Sequence, residues 1–175
     1  MKKNLRINFC AIACLSIISI FLLSSCDNNN ENTTIKQQLL DEMKETNMDV
    51  EEIIHLEVVK DGILVFYTKD HNLYNGFIKL KGSKWEWYFG GGSLPLQTDN
   101  GLNWAGTNFD DFFVYYGIIT DNKIKQVKDE EIDKLAKIIQ NEDGLRIYFI
   151  INELVETEIK NGKYNFHKIV PYYEN

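Results

Sequence analysis

Hydrophobic and polar positions change their rhythm three times along this chain. Lys2, Lys3 and Arg6 precede a nearly unbroken apolar run from Phe9 to Leu23, and a wholly polar stretch, Asp27 to Asn32 (DNNNEN), follows. From Thr33 the spacing becomes helical: Ile35, Leu39, Leu40 and Met43 fall on one face behind a Thr33/Thr34 cap, which predicts one amphipathic helix over about residues 34–47. Beyond Val50 the chain reads as short runs rich in β-branched and aromatic residues, separated by turn dipeptides. The expected strands are Ile53–Val59, Ile63–Thr68, Tyr74–Lys81, Lys84–Phe89, Phe112–Thr120, Lys123–Lys128, Lys134–Gln140, Leu145–Ile151, Val155–Lys160 and Lys163–Val170.

Asp61-Gly62, Gly82-Ser83, Asp121-Asn122, Asp143-Gly144 and Asn161-Gly162 supply the tight turns, because Gly and Asn accept positive φ. Consecutive hairpins imply mainly antiparallel pairing. Ile63–Tyr67, Phe112–Ile119 and Leu145–Ile151 are apolar on both alternating faces, which places them as central strands or between layers. Lys123–Lys128 and Val155–Lys160 alternate with charges and read as half exposed. Asp129 to Gln140 fits either a helix, through Ile132, Leu135, Ala136 and Ile139, or a strand closing a hairpin. The strand is slightly favoured because Leu145–Ile151 needs an antiparallel neighbour. The fold expected is an antiparallel β-sandwich or partly open barrel of hairpins, preceded by one amphipathic helix.

Composition sharpens the domain picture. Fifteen residues of helix, Phe9 to Leu23, reach only about 22 Å at ~1.5 Å each, short of a ~30 Å hydrocarbon core, so the first segment reads as an export signal over 1–25. A tether over 26–33 follows and holds a single β-rich domain, 34–175, within roughly 15 Å of the bilayer. The signal carries three of the 19 basic residues and no acidic one, leaving 16 against 26 and a formal charge of −10 on the mature part. Such a surface repels nucleic acid. Cys10 and Cys14 leave with the signal, so the mature domain has no disulfide and no thiol beyond Cys26.

Candidate chemistry is sparse. Gly90 to Asp111 interrupts the strand series and holds five of the eleven glycines, so it is expected to be one long loop, of the kind that often carries function. Trp85, Trp87 and Phe89 share a strand face beside it, Tyr88 lies between them, and Trp104 lies within it. All three tryptophans thus fall within twenty residues. Trp85, Trp87, Tyr88, Trp104, Asp110 and Asp111 are the candidate ligand-binding residues, since aromatic faces stack on sugar rings or fill a partner's pocket. Asp110-Asp111 with Asp99, Asn100, Asn103 and Asn108 lacks the spacing of a calcium loop. His55, His71 and His167 are scattered without a zinc pattern, and no nucleophile elbow or phosphate loop is present. No catalytic residue, metal or cofactor is expected.

Leu23-Ser24-Ser25-Cys26 resembles the bacterial lipobox. That resemblance implies a diacylglyceryl group on the Cys26 thiol, which becomes the new N-terminus, and a protein lipid-anchored on the extracytoplasmic face of the cell membrane. One acyl chain binds a bilayer only marginally at ~0.8 kcal/mol per buried CH₂, whereas two hold stably. The succession GILVFYTK, NGFIKLKGSKWEWYFGGG, FVYYGIITDNKIKQVK and GLRIYFI, from roughly Ile53 to Val170, resembles small exported Bacillus-type proteins with β-sandwich-like domains. Tethers such as DNNNEN are similar to those of Bacteroidetes-type lipoproteins as well, which leaves the choice between one membrane and two open. The resulting expectation is a binding or accessory module for a protein or cell-wall component. An envelope hydrolase and a structural or immunity-type protein are the alternatives.

Overall fold

The computed structural model describes residues 34–82, 84–110, 112–153 and 167–173. The expected signal, the Cys26 tether, the Val155–Lys160 strand and the Asn161-Gly162 turn lie outside the described residues. Within them the fold is mainly β and antiparallel, with one helix and no closed barrel. The helix α1 (Ile35–Glu45) is followed by β1 (Glu52–Val59), β2 (Gly62–Lys69), β3 (Asn72–Lys81), β4 (Lys84–Phe89), β5 (Leu94–Pro95) and β6 (Leu102–Phe109). Then come β7 (Phe112–Ile119), β8 (Ile124–Asp129), β9 (Lys134–Leu135), β10 (Lys137–Gln140), β11 (Arg146–Glu153) and β12 (Ile169–Tyr173). All twelve strands fall in the unit Lys36–Asn175.

The strands form three sheets. The first has the order β1-β2-β3-β4, with β5 also on β3; the second is β10-β11-β7-β6; the third is β12-β8-β9. Alternation along each strand explains their stacking. In β2, Leu64 and Phe66 point into a core shared with Phe112, Val114, Tyr116 and Ile118 of β7 and Ile147 and Phe149 of β11. The intervening Ile63, Val65 and Tyr67 point the other way, onto Leu39 and Met43 of α1. In β7 and β11 the second set of side chains, Tyr115, Ile119, Tyr148 and Ile150, packs on Ile124, Val127 and Ala136 of the third sheet and its connection. The layers therefore run helix, first sheet, second sheet, third sheet, and the runs that are apolar on both faces are the two central layers, as their pattern implies.

Helix α1 ends in a tight cap. Asn47 takes φ 57°, its N–H donates to Lys44 O, and the Met48 N–H donates to Met43 O at 2.9 Å. This is the paired C-terminal bonding of a Schellman motif with Asn in the left-handed position, and Met48 packs beside Met43 in the same core. The β2–β3 hairpin turns through Asp70 and His71, both at positive φ, a two-residue turn of the kind strand twist favours. The β1–β2 turn is Lys60-Asp61, with Lys60 at φ 50°; Gly62 already pairs with Val59 in the ladder. A Cβ on Gly62 would stand 2.5 Å from the Phe77 ring, so packing rather than backbone freedom requires glycine there.

Two expectations are corrected. Gly90 to Asp111 is not one long loop: Leu94-Pro95 pairs with Leu73 and Asn72, and Leu102–Phe109 pairs with β7 over its whole length. Its polar residues are bonded within the sheets, Asn103 Oδ1 accepting from the Ile118 N–H and Thr107 Oγ1 donating to Gly91 O. Gly106 is the point where the Phe113 ring crosses, only 2.4 Å from where a Cβ would stand. The expected strand Lys134–Gln140 is extended rather than helical, but it divides at buried Ala136. Lys134-Leu135 pairs with β8 and Lys137–Gln140 with β11, so the chain changes sheets there.

Phe66 is fully buried between the two central sheets, stacked 4.9 Å from Phe149. Phe66→Ala is expected to lower the unfolding free energy by about 3–5 kcal/mol. Val58→Ser, at a site 80% exposed, is expected to change it by less than about 0.5 kcal/mol. Urea denaturation of the two variants beside wild type checks both.

Candidate functional site

The candidate aromatics separate onto different surfaces. Trp85 and Trp87 on β4 are half-buried and pack on the helix side of the first sheet. The Trp87 ring lies against Gly76, where a Cβ would come within 2.2 Å, and edge-on to Tyr67 at 5.9 Å. These two indoles are core side chains. Tyr88, the residue after Trp87, points to the opposite face and is 39% exposed; Trp104 is 38% exposed and stands edge-on to Tyr115 at 5.9 Å, on the side of the second sheet that faces the third. Asp110 occupies the exposed β6–β7 turn. Cys26 and Asp111 lie outside the described residues.

Tyr88 and Asp110, 22 positions apart in sequence, line one pocket of about 150 Å³ together with Phe77, Lys79, Asn108, Phe109 and Phe112. The strands set this up directly. Phe77 and Lys79 alternate along β3, Tyr88 pairs with Phe77 across the ladder, and the β6–β7 turn brings Phe109, Asp110 and Phe112 to the same end of the sandwich. Phe112 meets Phe77 edge-on at 5.0 Å. The Lys79 ammonium lies over the rings of Phe77 and Tyr88 at 5.5 and 5.8 Å, an attractive cation–π placement, and pairs with Asp61 at 3.2 Å. The pocket thus has an aromatic floor, a cation on one side and a carboxylate on another. Its volume suits one ring-sized group, since an engineered apolar cavity of about 150 Å³ holds benzene.

A second polar group lies between the second and third sheets. Asp129, the last residue of β8, is wholly buried. Its Oδ1 accepts from the Glu131 N–H at 3.1 Å, its Oδ2 accepts from His167 Nδ1 at 2.6 Å, and Asn152 Nδ2 lies 3.4 Å from Oδ2. The His167 N–H donates to the Tyr115 hydroxyl, and the ring lies 5.3 Å from that of Tyr115. Glu131 accepts from the Lys168 N–H at 2.5 Å. Sequence spacing hid this cluster: Asp129 and His167 are 38 positions apart and meet because β12 pairs with β8, Ile169 opposite Asp129. A scattered histidine beside a strand-end carboxylate carries no local signal.

A third group bridges the edges of the two central sheets. Glu57 of β1 accepts from Lys137 of β10 at 2.6 Å and is 2.8 Å from His55 Nε2. Burial pushes the Glu57 carboxyl up, but the hydrogen bonds from Lys137 and His55, with their charges, outweigh it and hold the group below its ordinary value.

No protein-family profile, no curated protein and no solved structure matches the chain.

A carboxyl whose folded-state pKa is depressed stabilises the fold above its unfolded-state pKa of ~4.3 and loses that contribution as pH falls through the folded value. Wild type is therefore expected to lose more thermal stability than Glu57→Gln between about pH 5 and pH 3. Melting temperatures of both proteins across that range check it.

Proposed function

We propose that this protein is a lipid-anchored, extracytoplasmic binding module whose β domain engages a protein or another cell-envelope component through the pocket around Tyr88 and Asp110. One observation carries the reading: two candidate contact residues distant in sequence line a single concave site, with Lys79 and three phenylalanines. The chemistry suits one side chain or ring of a partner, held by aromatic contact and oriented by a cation and a carboxylate on the rim. The pocket is too small to enclose a polymer, so a larger partner would present one group to it and spread the rest over the surface.

The anchor belongs to the same reading. A lipobox cysteine after a short export signal, followed by a polar tether, keeps an acidic domain close to the bilayer without a spanning helix. Among the described residues no helix is long and apolar enough to cross a membrane.

Cross-linking from intact cells, with an unrelated lipoprotein on the same tether as control, tests the site. Tyr88→Ala and Asp110→Ser are expected to cut recovery of the partner on the order of tenfold, the scale of a contact worth ~1.4 kcal/mol. Both are exposed, so stability is expected to change by less than about 0.5 kcal/mol. Recovery unchanged in both variants overturns the site. Cys26→Ala is expected to release the domain from the membrane or to leave an unprocessed precursor. Detergent-phase partitioning and the mass of the N-terminal peptide check this, and a mature mutant that still partitions as acylated contradicts it.

A further inference from the structure

We propose that Asp129, Glu131 and His167 form a binding site for one divalent transition-metal cation of the zinc or manganese class, with the Asn152 amide oxygen as a fourth ligand. The two carboxylates and the imidazole each offer a ligand atom, and these atoms lie within 4.8 Å of one another. They come from three places: the end of β8, the turn after it, and the residue two before β12. Pairing of β12 with β8 fixes the first and third relative to one another, and the Lys168 N–H bond holds the Glu131 carboxylate beside them.

Charge is the first argument. A carboxylate removed from water needs a cation or several strong donors. Asp129 is 0% exposed, and among the described residues the only basic side chain paired with it is His167. The neighbouring lysines are engaged elsewhere: Lys168 with Glu130, Lys128 with Asp133, and Lys134 with the Ile151 carbonyl. The Glu131 N–H, His167 and Asn152 already meet the buried Asp129 carboxylate, and with the exposed Glu131 carboxylate beside it a divalent cation would balance both charges.

Asn152 supplies an independent argument. Its amide oxygen is buried with no hydrogen-bond partner, while its Nδ2 faces the Asp129 carboxylate at the long distance of 3.4 Å. Turning the amide over puts the oxygen at that position and leaves Nδ2 in the unpartnered place, an exchange that a cation bound to the oxygen would favour. Adjacent ligands of a tetrahedral ion with bonds of ~2.0–2.1 Å stand about 3.3–3.4 Å apart, so the separation already suits a shared cation. His167 Nδ1 and Asp129 Oδ2 are closer than this, because a proton lies between them. For a cation to take that proton's place the neutral imidazole carries its proton on Nε2 instead, exchanged through solvent with no net proton release, and the contact opens to the ligand spacing. One imidazole with oxygen donors favours zinc or manganese, whereas calcium and magnesium prefer oxygen alone.

The test uses the protein purified in detergent with any free cysteine alkylated, so that no thiol competes for the ion. Zinc chloride is titrated by calorimetry, and metal retained after dialysis is counted. Manganese chloride, calcium chloride and magnesium chloride are titrated in parallel. One equivalent of zinc or manganese is expected, with a melting temperature that rises with metal concentration. Glu131→Gln, a change at an exposed side chain, and His167→Ala are each expected to weaken binding at least tenfold, while His55→Ala leaves it unchanged. Circular dichroism identifies any variant that fails to fold, and Glu131→Gln keeps the question open to decision if His167→Ala does. Absence of zinc and manganese binding, undiminished binding in a folded Glu131→Gln variant, loss of binding in His55→Ala, or preference for calcium or magnesium each overturns the assignment. In that event Asp129 and His167 serve only to lock β12 to the turn after β8.

Discussion

Central strands buried on both faces set the terms for everything else in this protein. Because β2 is buried along nearly its whole length, and β7 likewise, the central sandwich cannot end at its own two outer surfaces. Each outer face carries large apolar side chains that require cover at ~25 cal/mol per Å². Helix α1 provides it on one side and the β12-β8-β9 sheet on the other. Helix α1 and the three-stranded sheet are therefore structural consequences of the central strands rather than additions to them.

Packing four layers also forces polar atoms inside, and their bonding shows where the chain is most constrained. Asn75 and Thr107 are both buried between the central sheets; Thr107 Oγ1 lies within reach of Asn75 Oδ1 and of the Gly91 carbonyl, which the Tyr116 hydroxyl also approaches. Burial pushes the Tyr116 hydroxyl up to about 12, so it remains a neutral donor at any ordinary pH. Tyr148 plays a related part toward the third sheet, donating to the Asn103 carbonyl. Glycines accompany these contacts. A Cβ on Gly90 would strike the Asn75 carbonyl at 1.6 Å and one on Gly117 the Asn103 carbonyl at 2.0 Å. Several glycines thus mark close approach between strands rather than loop freedom.

The two candidate sites occupy separate places on this scaffold. The Tyr88–Asp110 pocket lies at an end of the central sandwich, where side chains from β3 and β4 meet the β6–β7 turn, and it is open to solvent. The Asp129–His167 cluster lies between the second and third sheets, where the last residue of one strand meets the approach to another. The first combines an aromatic floor with a lysine and a carboxylate; the second holds a buried carboxylate against a histidine. Both rest on β7, which carries Phe112 at the pocket and Tyr115 beside His167.

Local pattern determined much of this fold. Period-3.6 spacing marked α1, period-2 spacing marked β1 to β4, and continuous apolarity marked β2, β7 and β11 as interior, because those signals follow from which faces of a short segment are hidden from water. The same logic failed where partnership decided the outcome. β6 reads LNWAGTNF, polar and glycine-containing, and is a strand because β7 offers it a complete ladder; Lys134 to Gln140 reads as one strand and serves two sheets because Ala136 is buried at the corner. The pairing of β7 with β11 and of β8 with β12 joins segments far apart in the chain, and no local residue preference encodes it. For the same reason the sequence could nominate Tyr88 and Asp110 singly, and could dismiss His167, but only tertiary packing decided that the first two share a pocket and that the histidine meets a buried aspartate.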